Sequence, residues 1–233
     1  VSQNGADGIR GTGKFWGFST YEVHNSTLEQ NNGYGIKFLV PEWHTHIDYV
    51  MINSLIAENF EGGLHHAEYV GSQVSGSLIN STIAHNDGYG LYFRPTDYGG
   101  VDVANSIVWG HVDNLVDVPL SSVSYSLVGD GEYAGSNDNI ATPPEFTDPF
   151  RGDYHILPNS PARDAGNAAL PDLPEIDYDG DPRILGSSVD IGADETSGYH
   201  ISIAKSSVPT DTIYLYNPLT YTLTLTNEGT ATA

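Results

Sequence analysis

Short apolar runs recur along the first half of the chain about every 27 residues. Ile9, Ile36, Leu64 and Leu91 hold one column, and Leu28, Ile56, Ile83 and Val108 hold a second. The runs are brief, often β-branched and broken by Asn and Gly, without the i, i+3, i+4 spacing of an amphipathic helix. Each unit therefore predicts short strands and tight turns. The units align through SQNGADGI, EQNNGYGI, AENFEGGL and AHNDGYGL, which bring Asn4, Asn31, Asn59 and Asn86 into register at intervals of 27, 28 and 27. Gly8, Gly35, Gly63 and Gly90 keep that register. Just upstream, NSTL at Asn25, NSLI at Asn53, NSTI at Asn80 and NSIV at Asn105 repeat as well. A fixed period of this length predicts a β-solenoid of about four coils, each giving about three strands stacked roughly 4.8 Å above the last.

Stacking places like residues above one another. The Leu/Ile columns should face inward, and the Asn column should bond to the backbone of the next coil as a structural ladder. The Gly column is expected to supply the φ > 0 of the following corner. The first coil begins in mid-repeat, which leads us to expect a piece of a longer protein or an unpaired parallel edge.

The pattern divides the chain in three. Coils occupy residues 1–128, and a loop-rich segment with eight prolines follows over 129–198. Residues 199–233 alternate Thr with Tyr, Leu and Ile in the period of two of a half-buried strand, too short to form a sandwich alone. Composition then sharpens the picture. The 233 residues hold 30 acidic and 8 basic side chains, a formal charge of −22, and 15 of the acids lie between Asp130 and Glu195. Such a field repels phosphate backbones, so nucleic acid is not an expected partner. The absence of cysteine excludes disulfides, thiolate zinc sites and thiol catalysis. No run of eighteen apolar residues exists to predict a membrane span.

From Asn105 onward the chain reads NSIVWG, VSYSLVGDG, YHILPNSPARDAGN and DYDGDPRILGSSVDIGADE. Through these strings, above all the pairing of LPNSPARDAG with DGDPR and VDIGADE, residues 1–196 resemble the C-terminal part of the bacterial choice-of-anchor Q proteins. Those are secreted right-handed parallel β-helices of the pectin-lyase-like superfamily. The tail resembles the opening strands of Ig-like conserved-repeat domains in bacterial and archaeal surface proteins. The resemblance implies an all-β, right-handed parallel β-helix with a loop-rich acidic C-terminal cap and a partial Ig-like β-sandwich segment, on a secreted or cell-surface protein. It implies no single activity, because the superfamily fold carries polysaccharide lyases, polygalacturonases, tailspikes and adhesins alike.

Lyase chemistry needs a base and cations to hold uronate carboxylates. The coils offer Arg10, Lys14, Lys37 and Arg94, read here as occupying different coil positions. The NTD and RxK strings of polygalacturonases do not occur. Glu58 and His85 share one coil position, after Gln3 and Gln30; such a pair suits general acid–base work or a polar surface ladder. His44-x-His46 and His65-His66 are metal-ligand types without a third ligand placed by sequence, and read as loop polarity. Asp177, Asp179 and Asp181 in DYDGDPR, followed by Asp190 and Asp194, gather hard oxygens on a glycine turn. They suit either a structural Ca²⁺ bracing the acidic segment or a plain Asp-Gly turn. Tyr34 and Tyr89 share a register, with Tyr49, Tyr92, Phe93 and Tyr98 nearby. Exposed, these rings would form a glycan-stacking platform; half-buried, they are ordinary strand aromatics.

No residue set stands out as an active site. The expectation is a non-catalytic extracellular or cell-surface structural protein, a β-helical spacer for adhesion or self-assembly into a filament or layer. Expected partners are copies of itself, cell-surface proteins or polysaccharide. A polysaccharide lyase or glycoside hydrolase is the enzymatic alternative, and a carbohydrate-binding module is the third reading.

Overall fold

The computed structural model describes residues 1–13, 15–40, 44–67, 71–93, 99–171, 173–198, 201–208 and 220–227. Lys14, Arg94 and Tyr98 lie outside the described residues, as does much of the tail. The strands of successive coils are β1 (Ile9–Thr12), β2 (Phe18–His24), β3 (Thr27–Glu29), then β4 (Tyr34–Leu39), β5 (His46–Ile52), β6 (Leu55–Ala57). They continue as β7 (Gly62–Ala67), β8 (Gln73–Ile79), β9 (Thr82–Ala84), β10 (Tyr89–Tyr92), β11 (Gly100–Ala104) and β12 (Ile107–Trp109). Three two-residue strands close the series: β13 (Leu115–Val116), β14 (Val123–Ser124) and β15 (Leu127–Val128). Every third strand pairs in parallel, giving three five-stranded sheets that start from β1, β2 and β3. The chain is a nearly all-β parallel solenoid of about four turns, as its period predicts.

The apolar columns fall where the repeat puts them. Ile36, Leu64 and Leu91 are register partners on the first sheet, and Leu28, Ile56, Ile83 and Val108 stack on the third. The second sheet adds Val23, Met51, Leu78, Val103 and Val123. All are buried, each worth roughly 1.5–3 kcal/mol for a large aliphatic side chain.

Two polar ladders run beside this core. Asn31 Nδ2 donates to Asn59 Oδ1 and Asn59 Nδ2 to Asn86 Oδ1, both at 2.8 Å, while the same oxygens accept the Asn31 and Asn59 amides. His111 takes the next rung. Asn86 Nδ2 donates to its Nε2, and its Nδ1 faces Asn114 Oδ1 at 3.0 Å. The second ladder is serine. The amides of Ser26, Ser54, Ser81 and Ser106 each donate to the hydroxyl one coil on, ending at Ser126.

The corners correct one expectation. Gly8, Gly35, Gly63 and Gly90 do not supply the positive φ; they are needed for close approach. A Cβ at Gly63 would lie 2.3 Å from the Gly90 carbonyl oxygen and 2.6 Å from Ile83 Cγ2. The left-handed positions belong instead to Gln3, Gln30, Glu58 and His85, and to Asn25, Asn53, Asn80 and Asn105.

The acidic segment lies on the outer face of the third sheet. Strands β6 and β9 are buried throughout, as expected of a sheet covered on both sides. Ile107 and Leu127 pack outward with Ile156, Ala162 and Ile191, and Leu55, Ala57 and Ala84 with Tyr154. Strands β16 (Phe146–Asp148) and β17 (Asp153–Ile156) form a short hairpin in it, and the tail forms another from β18 (Ile201–Val208) and β19 (Thr220–Asn227). No helix of the described residues is long and apolar enough to cross a membrane.

One core residue breaks the apolar rule. His66 is fully buried among Phe38, Tyr49 and Phe93, with ring centroids 5.1–5.9 Å away, and neither ring nitrogen has a hydrogen-bond partner. Burial, helped by neighbouring His65, holds its pKa down to about 3. The unfolded chain, near 6.5, therefore binds this proton first as pH falls. The contribution is fully present above about pH 6.5 and is lost on acidification at ~1.4 kcal/mol per unit, until the folded group itself titrates. His66→Phe, matching the rings around it, should remove this loss. Unfolding free energies of variant and wild type, measured from pH 7.5 to 4.5, should run parallel down to about pH 6.5 and diverge below it; a constant difference throughout would contradict the assignment.

Candidate functional site

The outward face of the first sheet collects Arg10, Lys37, His65, Tyr34, Tyr89 and Tyr92. Arg10 pairs in register with Lys37, and Lys37 with His65, so these side chains do stack at one coil position, contrary to the sequence reading. Neither cation is free. Arg10 binds Asp7 at 2.7 Å, and Lys37 lies 3.8 Å from Glu61 and 4.6 Å from the Tyr34 ring centre. Tyr34 stacks on His65 at 4.5 Å and His65 on Tyr92 at 5.0 Å, with Tyr89 5.4 Å from Tyr92. Tyr34 and Tyr89 are both register partners of Gly62, whose missing side chain leaves room for the Tyr34 ring. Tyr49 and Phe93 belong to the interior instead.

The histidine pairs separate. His65 and His66 alternate along β7, so one faces solvent and the other the core. His44 stacks on the exposed Trp16 at 4.2 Å, and His46 stacks on Phe18 and bonds Gln73. Trp16, Phe18, His44, His46 and Gln73 line one open groove.

Glu58 and His85 are stacked corner residues, as their alignment implies. Gln3 Nε2 donates to Gln30 and Gln30 Nε2 to Glu58 Oε2 at 2.8 Å. The other Glu58 oxygen accepts the Tyr154 hydroxyl at 3.2 Å. His85 meets the edges of Phe146 and Tyr154, and its burial lowers its pKa against the pull of Glu58. Both side chains thus contribute to docking of the β16–β17 hairpin.

In the acidic segment the carboxylates cap backbone amides. Asp177 Oδ1 accepts from Asp179, Gly180 and Asp181, and its Oδ2 from Glu195. Asp190 accepts from Asp164 and Thr196, and Asp164 in turn from Ser187 and Ser188. Asp181 is exposed. Asp177, Asp179 and Asp181 therefore do different jobs, and the residues that converge are His155, Asp179 and Asp194. His155 Nδ1 lies 2.5 Å from Asp153 Oδ1, and its Nε2 2.6 Å from Asp179 Oδ2 and 3.0 Å from the Tyr178 hydroxyl. Burial works against the imidazolium, but the Asp153 hydrogen bond and the Asp194 and Asp179 charges outweigh it and raise its pKa to about 9. Burial raises Asp190 to about 6, Asp194 to about 7 and Glu195 to about 8.

No family model, curated protein or solved structure matches the chain. The functional reading therefore rests on the geometry.

Three elements of that geometry were missed in the sequence. His111 replaces asparagine in the ladder, and Ser126 follows Tyr125 where every earlier copy reads Asn-Ser. Arg183 lies fully buried between the two parts of the chain, donating to the carbonyls of Gly192 and Ala193, to Glu195 and to Asn53 of the solenoid corner. A signal for the covered sheet was present: LIA and IVW are continuously apolar rather than alternating, and TIA departs from them only at Thr82.

Proposed function

We propose that this chain is a non-catalytic structural spacer of a secreted or cell-surface protein, a rigid β-solenoid for adhesion or self-assembly. The observation that carries the reading is the use made of its best acid–base pair. Glu58 and His85 are engaged by Tyr154 and Phe146 in holding the acidic segment to the coils. The resemblance of residues 1–196 to choice-of-anchor Q proteins supports the secreted or cell-surface part of the reading and is silent on catalysis. The β18–β19 hairpin also suits assembly: Ile203, Tyr221, Leu223 and Leu225 are exposed, and among the described residues it pairs with no third strand, whereas a two-stranded hairpin alone is marginally stable. The test is turnover of neutral and acidic polysaccharides, with and without Ca²⁺, by wild type and Glu58→Gln. Neither should act. Turnover in wild type that disappears in the variant would replace this reading with a hydrolase or lyase.

A second reading has its own observation. The Tyr34–His65–Tyr92 stack with Lys37 beside it suits a carbohydrate-binding face. It requires glycan retention that is lost on Tyr34→Ala or Tyr89→Ala without any turnover.

A further inference from the structure

We propose that the acidic segment carries a divalent transition-metal site of the zinc or manganese type, held by His155, Asp179 and Asp194. Each offers one ligand atom, and the three atoms lie within 4.8 Å of one another. They come from separate stretches: strand β17, the turn after Asp177, and the irregular run 189–195 packed on the solenoid. Tetrahedral bonds of about 2.1 Å space ligands about 3.4 Å apart, so the His155–Asp179 pair, at 2.6 Å, opens by about an ångström while the wider-spaced atoms of the set close by a comparable amount.

His155 is already oriented as a ligand. Asp153 holds Nδ1, which turns Nε2 toward Asp179; a carboxylate behind a ligating imidazole fixes its tautomer and strengthens it as a donor. Two buried oxygens beside the cluster lack a donor among the described residues. Asp194 is 7% exposed, and only its Oδ2 meets a donor among the described residues, the Ile156 amide at 2.8 Å. Glu195 is 4% exposed, and its Oε2 is buried without a hydrogen-bond partner. Both residues line one open pocket of about 520 Å³ together with His155, Asp179 and Asp181. An imidazole beside two carboxylates favours a borderline ion over calcium, which takes six to eight oxygens. Bound here, the ion clasps the β16–β17 hairpin to the turn and to the run lying on the third sheet.

The experiment uses the whole chain after chelation and dialysis into metal-free buffer. Calorimetric titration with ZnCl₂ or MnCl₂ should give one ion per chain, and Co²⁺ should develop the visible absorption of an ion with nitrogen and oxygen ligands. His155→Gln and Asp194→Asn should each lower affinity at least 100-fold and abolish that absorption. Asp181→Asn, in the same pocket, should leave affinity within twofold. If Asp194→Asn does not fold, His155→Gln and Asp179→Asn, both at more accessible side chains, carry the test against their metal-free unfolding curves. Uptake that survives His155→Gln, calcium bound more tightly than zinc, or no stoichiometric uptake overturns the proposal.

Discussion

Replacing Arg183 with methionine should cost about 3–5 kcal/mol and loosen the acidic segment from the coils. The guanidinium is 2% exposed and reaches four acceptors: two carbonyls, Glu195 and, on the solenoid, Asn53. Methionine fills most of the volume but leaves the Gly192 carbonyl and Asn53 Oδ1 without this donor and the Glu195 carboxyl without its cation, and removing one side of a buried charged pair costs in this range. Lysine should not restore the loss, since a single ammonium cannot reproduce the planar fork. The variant should keep the far-ultraviolet spectrum of the coils while proteolysis within residues 129–198 accelerates. Unchanged protease resistance would show that the apolar contacts of Ile156, Ile191 and Tyr154 hold the segment without it.

Asn59→Ala should be comparably damaging, at about 3–5 kcal/mol, whereas Asn4→Ala should stay within about 0.5 kcal/mol. The two residues occupy one column of the repeat, yet their surroundings differ. Asn59 is fully buried and its amide group serves five contacts: to the Leu28 and Ala57 carbonyls, to Asn86, and from the amide and side chain of Asn31. Asn4 is exposed and joins the ladder through its backbone amide. Denaturant unfolding of both variants decides the matter. Equal effects would mean that the column contributes through corner conformation alone.

That contrast also shows how far the sequence could be read. A period near 27 exposes any interaction that recurs from coil to coil, so the Leu/Ile columns and the asparagine register were legible. The division of labour at the corners was not. Glycine suggests positive φ, but Gln30, Glu58 and His85 adopt it while Gly35 and Gly63 make room for the neighbouring coil. Nor could the repeat reveal its substitutions, such as His111 in the ladder or His66 in the core. The acidic segment was legible as composition only. Its carboxylates bind backbone amides at irregular separations, and Arg183 meets Asn53 across 130 residues, so nothing periodic betrays the contacts. The same irregularity hid the convergence of His155 with Asp179 and Asp194, while the conspicuous DYDGDPR string turned out to spend Asp177 on its own turn.

The two ladders have a consequence at the level of the gene. Every rung speaks only to the coil directly before and after it, and the attachments made by Asn53, Glu58 and Asn105 fall on the second and fourth coils. Duplication of an early unit of 27 or 28 residues would therefore present each new neighbour with the same asparagine, serine and glycine it already fits. Copy number becomes a ruler, lengthening the molecule in steps of roughly 4.8 Å while its closing end stays the same.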